Sequence, residues 1–274
     1  MTTQIVNKSD KKLWLAAIKP PMYSVAIMPI WVGTAIAFWE KNRIDWSIFL
    51  TFITSAILIL AWENISNDVF DSETGIDKNK HHSLVNLTGN KDLMFWLGNL
   101  CLFLGILGIL IISWWLQDLT VIGLIFLCCF LGYIYQGPPF RLGYQGLGEI
   151  ICFFAFGPLA ISAAYYSQTK TWSITSLTAS IIIGITTTII LFCSHFHQVR
   201  DDLAAGKRSP IVRMGTKAGS QVLNWSCGIV FVLISICVGL GFFPVWTLLS
   251  FTGLPFAIHL CRHLSHHHDQ PEKI

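Results

Sequence analysis

The chain has 274 residues, of which 53% are hydrophobic and 12% charged, and its mean hydropathy is +0.60. Soluble domains carry roughly 25% charged residues, so water is excluded as the main solvent of the folded surface. A net charge of only +3, spread over many connecting segments, excludes a nucleic-acid-binding face.

In chain order, residues 2–12 are polar and lack an apolar stretch closed by a small-residue cleavage site, so no signal or transit peptide is expected. The first membrane helix then acts as its own insertion signal. Apolar runs of about 20 residues, enough to cross a hydrocarbon core, follow at 22–39, 46–62, 93–115, 119–135, 147–166, 174–194, 222–243 and 245–264. Unpaired backbone is not tolerated in lipid, and these runs are too long and too uniformly apolar for barrel strands, so all are expected to be helices. The fold class is an all-α, polytopic transmembrane helical bundle of eight spans, forming one domain over 1–274.

Lysines and arginines set its orientation. With a cytoplasmic or stromal amino terminus, Lys8, Lys11, Lys12, Lys19, Lys78, Lys80, Lys91, Arg141, Arg200, Lys207, Arg208, Arg213, Lys217, Arg262 and Lys273 share one side, and Lys41, Arg43 and Lys170 the other. This asymmetry places both termini on the cytoplasmic or stromal face. Two connections on that side are long, 63–91 and 195–220, and they lie four spans apart. That spacing suggests an internal four-helix repeat with a shared site between its halves. The eight cysteines all fall inside apolar runs without metal-type CxxC spacing and read as small buried hydrophobes. The run His266-His267-His268 reads as a solvated tail, and His81 and His82 as ordinary loop residues.

Chemistry concentrates in the two long connections. After the second span, Asn64, Asp68 and Asp71 stand at i, i+4 and i+7, so a continuing helix stacks three oxygen-bearing side chains on one face. Two carboxylates that close repel one another unless a divalent cation lies between them. Hard oxygen ligands with room for water suit Mg2+, which binds through one or two carboxylates plus phosphate oxygens. The second connection repeats the pattern with less charge: Gln198 and Asp202 are one turn apart, His195 is near the same face, and Asp201 is a competing ligand. Lys78 and Lys80 follow the first cluster, and Lys207 and Arg208 the second. A carboxylate-bound metal ringed by cations is an environment for a diphosphate.

These motifs resemble the UbiA superfamily of intramembrane prenyltransferases over nearly the whole chain. The Asn-x-x-x-Asp-x-x-Asp motif is met by Asn64, Asp68 and Asp71. Lys19-Pro20-Pro21, the block from Gly132 to Pro139, Gly146-Leu147-Gly148-Glu149, Phe156-Gly157-Pro158 and the block from His195 to Gly215 look like the branch that prenylates 1,4-dihydroxy-2-naphthoate on the way to phylloquinone or menaquinone. The last of these looks most like the cyanobacterial and plastid members, which use a phytyl donor.

The resemblance implies a nine-helix fold, so with eight spans the expectation is either that a final helix has been lost or that the chain is truncated. It also implies Mg2+ held by Asn64, Asp68, Asp71, Gln198 and Asp202, with Asp68, Asp71 and Asp202 central to catalysis. Diphosphate would meet Lys78, Lys80, Lys207 and Arg208, and the substrates would meet Lys19, Tyr135 and Arg141. The implied substrates are a prenyl (phytyl) diphosphate and dihydroxynaphthoate, taken up from membrane lipid, with no protein partner indicated. Where many relatives carry an acid in the second motif, this chain has Gln198, which weakens that metal site. Sister enzymes acting on homogentisate, 4-hydroxybenzoate, a chlorophyllide or haem remain open, as does a transporter, although a transporter would bury its charges at mid-membrane.

Overall fold

A computed structural model describes residues 8–76, 83–270 and 273. Among them the regular structure is helical throughout: α1 (Lys8–Ile18), α2 (Tyr23–Lys41), α3 (Trp46–Thr74), α4 (Leu84–Thr88), α5 (Lys91–Leu116), α6 (Thr120–Gln136), α7 (Gly148–Phe154), α8 (Ala160–Thr169), α9 (Ile174–Ala204), α10 (Pro210–Met214), α11 (Thr216–Gly239) and α12 (Leu254–His267). A π-helical turn over Ala155–Leu159, containing Pro158, joins α7 to α8 in one continuous rod.

Six of these segments are long and apolar enough to cross a membrane: Lys12–Lys41, Trp46–Thr74, Lys91–Leu116, Gly148–Thr169, Ile174–Ala204 and Thr216–Gly239. The sequence reading of eight spans is therefore wrong by two. The run 119–135 becomes α6, which has 17 residues and is stopped by Gly137 and the Pro138-Pro139 pair behind it. At about 1.5 Å per residue it reaches ~25 Å, short of a ~30 Å hydrocarbon core. The run 245–264 breaks in two, a 3-10 segment over Val245–Gly253 and the 14-residue α12, which restarts at Pro255 and carries His259, Arg262 and His263. Proline cannot donate to the preceding turn, so it begins a helix more readily than it continues one. The division into two repeats of four spans falls with the count.

The helix starts are written locally. Asp45 accepts from the Ser47 and Ile48 amides at 3.0 and 3.1 Å to open α3, Asn90 accepts from Leu93 N at 2.9 Å to open α5, and Ser173 accepts from Ser176 N at 3.2 Å to open α9. Each satisfies amides that a helix start leaves without partners. α3 packs along α5 and α2 along α8. At the second crossing a Cβ on Gly33 would meet Ala164 Cβ at 2.7 Å, so the two backbones approach as closely as small residues permit. Ile30, Phe52, Trp62, Ile109, Ile112, Ala163 and Ala164 belong to the largest buried apolar cluster. Trp114, Trp225 and Trp246 are each more than 70% exposed on the perimeter, a surface that only lipid would cover favourably.

Two helices overrun the membrane. α3 has 29 residues and α9 has 31; at about 1.5 Å per residue each exceeds 40 Å, well beyond the ~30 Å core. Their last turns carry 64–71 and 195–202. Much of what reads as long loop is thus helix, with α10 ordering part of the second connection.

Candidate active site

On α3, Asn64, Asp68 and Asp71 share one face, and Asp68 is fully buried. The Leu84 amide donates to Asp68 Oδ2 at 2.7 Å. Lys19 adopts a left-handed backbone (φ 51°) where α1 meets the Pro20–Met22 turn. Its Nζ donates to Asn64 Oδ1 at 2.9 Å and lies 4.0 Å from Asp68 Oδ1, while Asn64 Nδ2 donates to Ala17 O at 3.2 Å. The segment before α2 therefore delivers a cation directly to the first acidic face.

On α9, Asp202 is fully buried and Asp201 exposed, so the helix phase turns the second acid of the pair inward. Lys207 Nζ stands 3.2 Å from Asp202 Oδ1, and the Lys207 amide caps the chain by donating to Asp202 O at 2.8 Å. His195 lies between two carboxylates, 3.4 Å from Asp202 and 3.3 Å from Glu149 on α7. These contacts lack hydrogen-bond alignment, and both oxygens of Asp202 and of Glu149 are buried without an aligned donor. Gln198, half-buried, sits one turn before Asp202.

A residue that sequence reasoning missed joins the two clusters. Tyr144, in the turn Leu142–Gln145, donates its hydroxyl to Asp71 Oδ1 at 2.7 Å and shares a 2.7 Å contact with Thr74 Oγ1. Its carbonyl accepts from the Arg208 amide at 2.8 Å, and Lys207 Nζ stands 5.8 Å from its ring centre. Burial first, and then the Asp71 charge, push the Tyr144 hydroxyl well above the ordinary phenol range, so it remains a protonated donor. Glu149 and His195 stand within sequence motifs that assign them no role of their own. The signal that could have found them is the rarity of ionisable residues at membrane depth.

The other candidates divide. Tyr135 is drawn in among Glu149, Asp71 and Glu63, and its ring packs so close to Gly148 that a Cβ there would sit 2.7 Å away. Arg141 instead pairs with Glu73 at 3.0 Å, beside Lys91 at 2.7 Å from the same carboxylate. The Arg208 side chain is exposed, with only its backbone tied to Tyr144. Lys78 and Lys80 lie outside the described residues.

Among the described residues no three His, Cys, Asp or Glu side chains converge into a metal cage. Mg2+ does not require one, since it is held by one or two carboxylates with substrate phosphates and water. The all-oxygen donors Asp68 and Asp71, and the unaligned oxygens of Asp202, fit that ion when a diphosphate supplies the rest.

The model of the UbiA prenyltransferase family matches residues 26–274. The chain belongs to the UbiA prenyltransferase family. It is 58% identical over 266 residues to the 2-carboxy-1,4-naphthoquinone phytyltransferase of a Synechocystis species, covering 97% of this chain and 87% of that one. It is 40% identical over 272 residues to the chloroplastic enzyme of the same name from Arabidopsis thaliana, covering 96% and 71%. A UbiA homolog from Archaeoglobus fulgidus bound to DMAPP and Mg2+ has the same fold, with a TM-score of 0.70, 15% identity and coverage of 91% and 85%. This UbiA-family protein is thus a multi-pass membrane prenyltransferase.

Proposed function

We propose that the enzyme transfers a phytyl group from its allylic diphosphate to 1,4-dihydroxy-2-naphthoate, releasing carbon dioxide and diphosphate. The observation that carries the reading is the closure of two oxygen-rich clusters, far apart in sequence, around Tyr144 with Lys19 and Lys207 beside them. The choice of donor and acceptor is supported by the naphthoquinone phytyltransferases to which the chain is similar.

Asp68, Asp71 and Asp202 would hold Mg2+, which supplies positive charge to the diphosphate oxygens. Lys19 and Lys207 hold fixed positive charge beside the same carboxylates and so favour the anion that departs. Tyr144 keeps Asp71 oriented by donating to it. A cavity of 460 Å³ between α7, α9 and α11, lined by Ile150, Phe153, Phe154, Ile185 and Leu223 with Glu149 at its edge, offers apolar room for a prenyl tail. Its walls exclude the water that would quench an allylic cation. In the reaction the allylic C–O bond breaks with its electrons leaving on diphosphate. The ring carbon bearing the carboxylate forms the new C–C bond, and that carboxylate departs as carbon dioxide.

The reading also puts the site on the cytoplasmic or stromal face, supported by the crowding of lysines and arginines at that end. Purified enzyme in detergent, given dihydroxynaphthoate and phytyl, geranylgeranyl or solanesyl diphosphate, should form the phytylated product fastest. Transfer to homogentisate or 4-hydroxybenzoate in its place would overturn the acceptor. An Ala205→Cys variant should resist labelling from outside intact cells, and labelling there would invert the topology.

A further inference from the structure

One ionisable side chain at membrane depth has no part in the chemistry above. Glu63 lies a little over two turns before Asp71 on α3, about 12 Å deeper into the bundle at 1.5 Å per residue. Its side chain is partly accessible, so it borders space that its neighbours do not fill. Among the described residues no hydrogen bond or ion pair reaches its carboxyl group. Its carboxylate rests on α6 where that helix has Gly132: a Cβ there would meet Glu63 Oε2 at 2.2 Å.

The surroundings extend the pattern. Gln136, one turn on from Gly132, donates Nε2 to the Glu63 carbonyl at 3.1 Å, but its Oε1 is buried without a partner in a side chain only 3% exposed. Tyr135, the residue before it, counts Glu63 and Asp71 among its charged neighbours. Gln136 Oε1 is thus a buried acceptor without a partner, beside a partly accessible carboxylate that accepts no hydrogen bond among the described residues, below the position that the diphosphate would occupy. Buried polar atoms are normally paired, and an ionisable group left over in a membrane bundle marks a ligand.

We propose that Glu63 and Gln136, with Tyr135, form the acceptor subsite, in which Glu63 accepts a hydrogen bond from a ring hydroxyl of the aromatic acceptor. The inference rests on the naphthoate reading above. The 1- and 4-hydroxyls of the acceptor are para to one another and the carboxylate sits beside the 1-hydroxyl. Like charges repel, so the 4-hydroxyl is the donor that can face Glu63 while the carboxylate stays away from it. Glu63 is a selector of acceptor and takes no part in binding diphosphate.

The test pairs acceptor and enzyme variants. Wild type, Glu63→Ala, Glu63→Gln and Gly132→Ala are assayed in detergent with phytyl diphosphate and either 1,4-dihydroxy-2-naphthoate or 1-hydroxy-2-naphthoate, which lacks one hydroxyl. The missing hydroxyl predicts that wild type prefers the dihydroxy acceptor by about 10- to 100-fold in kcat/KM. Glu63→Ala should erase that preference by raising the KM for the dihydroxy acceptor, while the KM for phytyl diphosphate stays within about twofold. Glu63→Gln, isosteric and safe for folding, should fall between the two. Gly132→Ala should imitate Glu63→Ala, because it displaces the carboxylate without removing it. Equal losses with both acceptors, or a rise in the KM for phytyl diphosphate instead, would overturn the subsite while leaving the proposed reaction intact. A wild type inert toward dihydroxynaphthoate would overturn both.

Discussion

The two ends of the bundle differ in how completely their carboxylates are satisfied, and the contrast is sharpest at Asp202 and Glu149. At the end away from the site, Glu40 accepts from Tyr165 at 2.5 Å and Ser173 at 2.6 Å, and Asp118 accepts from Tyr166 at 2.9 Å and the Thr120 amide at 2.7 Å. Gln168 exchanges two bonds with the Asp45 backbone, at 2.8 and 3.1 Å, and Lys170 Nζ donates to Leu116 O at 2.5 Å. The buried orphans among the described residues there are two serine hydroxyls, Ser113 and Ser176. At the site end, Asp202 and Glu149 keep all four oxygens without aligned donors although cations or a histidine stand within 3.4 Å. The difference separates two uses of buried charge. One end uses its polar groups to tie loops together; the other holds acceptor capacity open for a ligand.

Removing charge from the site end should break activity without breaking the fold. Asp68→Asn and Asp71→Asn should each lower turnover by about 100-fold or more, the upper range for a lost metal contact, with membrane insertion and thermal stability near those of wild type. Excess EDTA should stop turnover and Mg2+ restore it. Near-normal rates in either variant, or turnover in EDTA, would remove this face from the chemistry.

The second cluster sharpens the comparison, because neighbouring residues there face opposite ways. Asp202→Asn should cost on the order of 100-fold and Gln198→Ala on the order of 10-fold, whereas the exposed Asp201→Asn should behave like wild type. Gln198→Asp should lower the Mg2+ concentration needed for half-maximal rate. A dead Asp201→Asn beside an active Asp202→Asn would shift the register by one residue.

Tyr144→Phe tests the bridge. It keeps the ring beside Lys207 and removes only the donor to Asp71, so kcat should fall about 10-fold, the low end for a hydrogen bond to a charged group.

The smallest effects should lie at the opposite end and appear in stability alone. Tyr165→Phe removes the hydrogen bond to Glu40 and should cost about 1 kcal/mol, or roughly 2–4 °C in Tm for a chain of this size, with kcat unchanged. The Asp118 carboxyl is held below its ordinary range, chiefly by hydrogen bonding to Thr120 and then to Tyr166. A depressed folded value means that its contribution is present above the ordinary carboxylate range and lost as pH falls through the folded value. Asp118→Asn should therefore lower Tm at neutral pH, and the gap should close in acid. A loss of kcat in either variant would blur the division between the two ends.

By itself the sequence determined the solvent, the helical class and the stacking of Asn64, Asp68 and Asp71 on one face, because these follow from local composition and a 3.6-residue period. It also located Lys19, which the structure sets against Asn64. It did not determine how many helices cross. A hydropathy window averages over Gly137 with its following prolines, and over Pro255, and these breaks act through backbone geometry that no average records. Nor could it find Tyr144 or pair Glu149 with His195, whose partners lie on other helices. Whether Asp201 or Asp202 faces inward depended on the phase with which α9 packs against α7 and α11. Those choices belong to the tertiary structure alone, because burial leaves an acid exposed or enclosed only once neighbouring helices have closed around it.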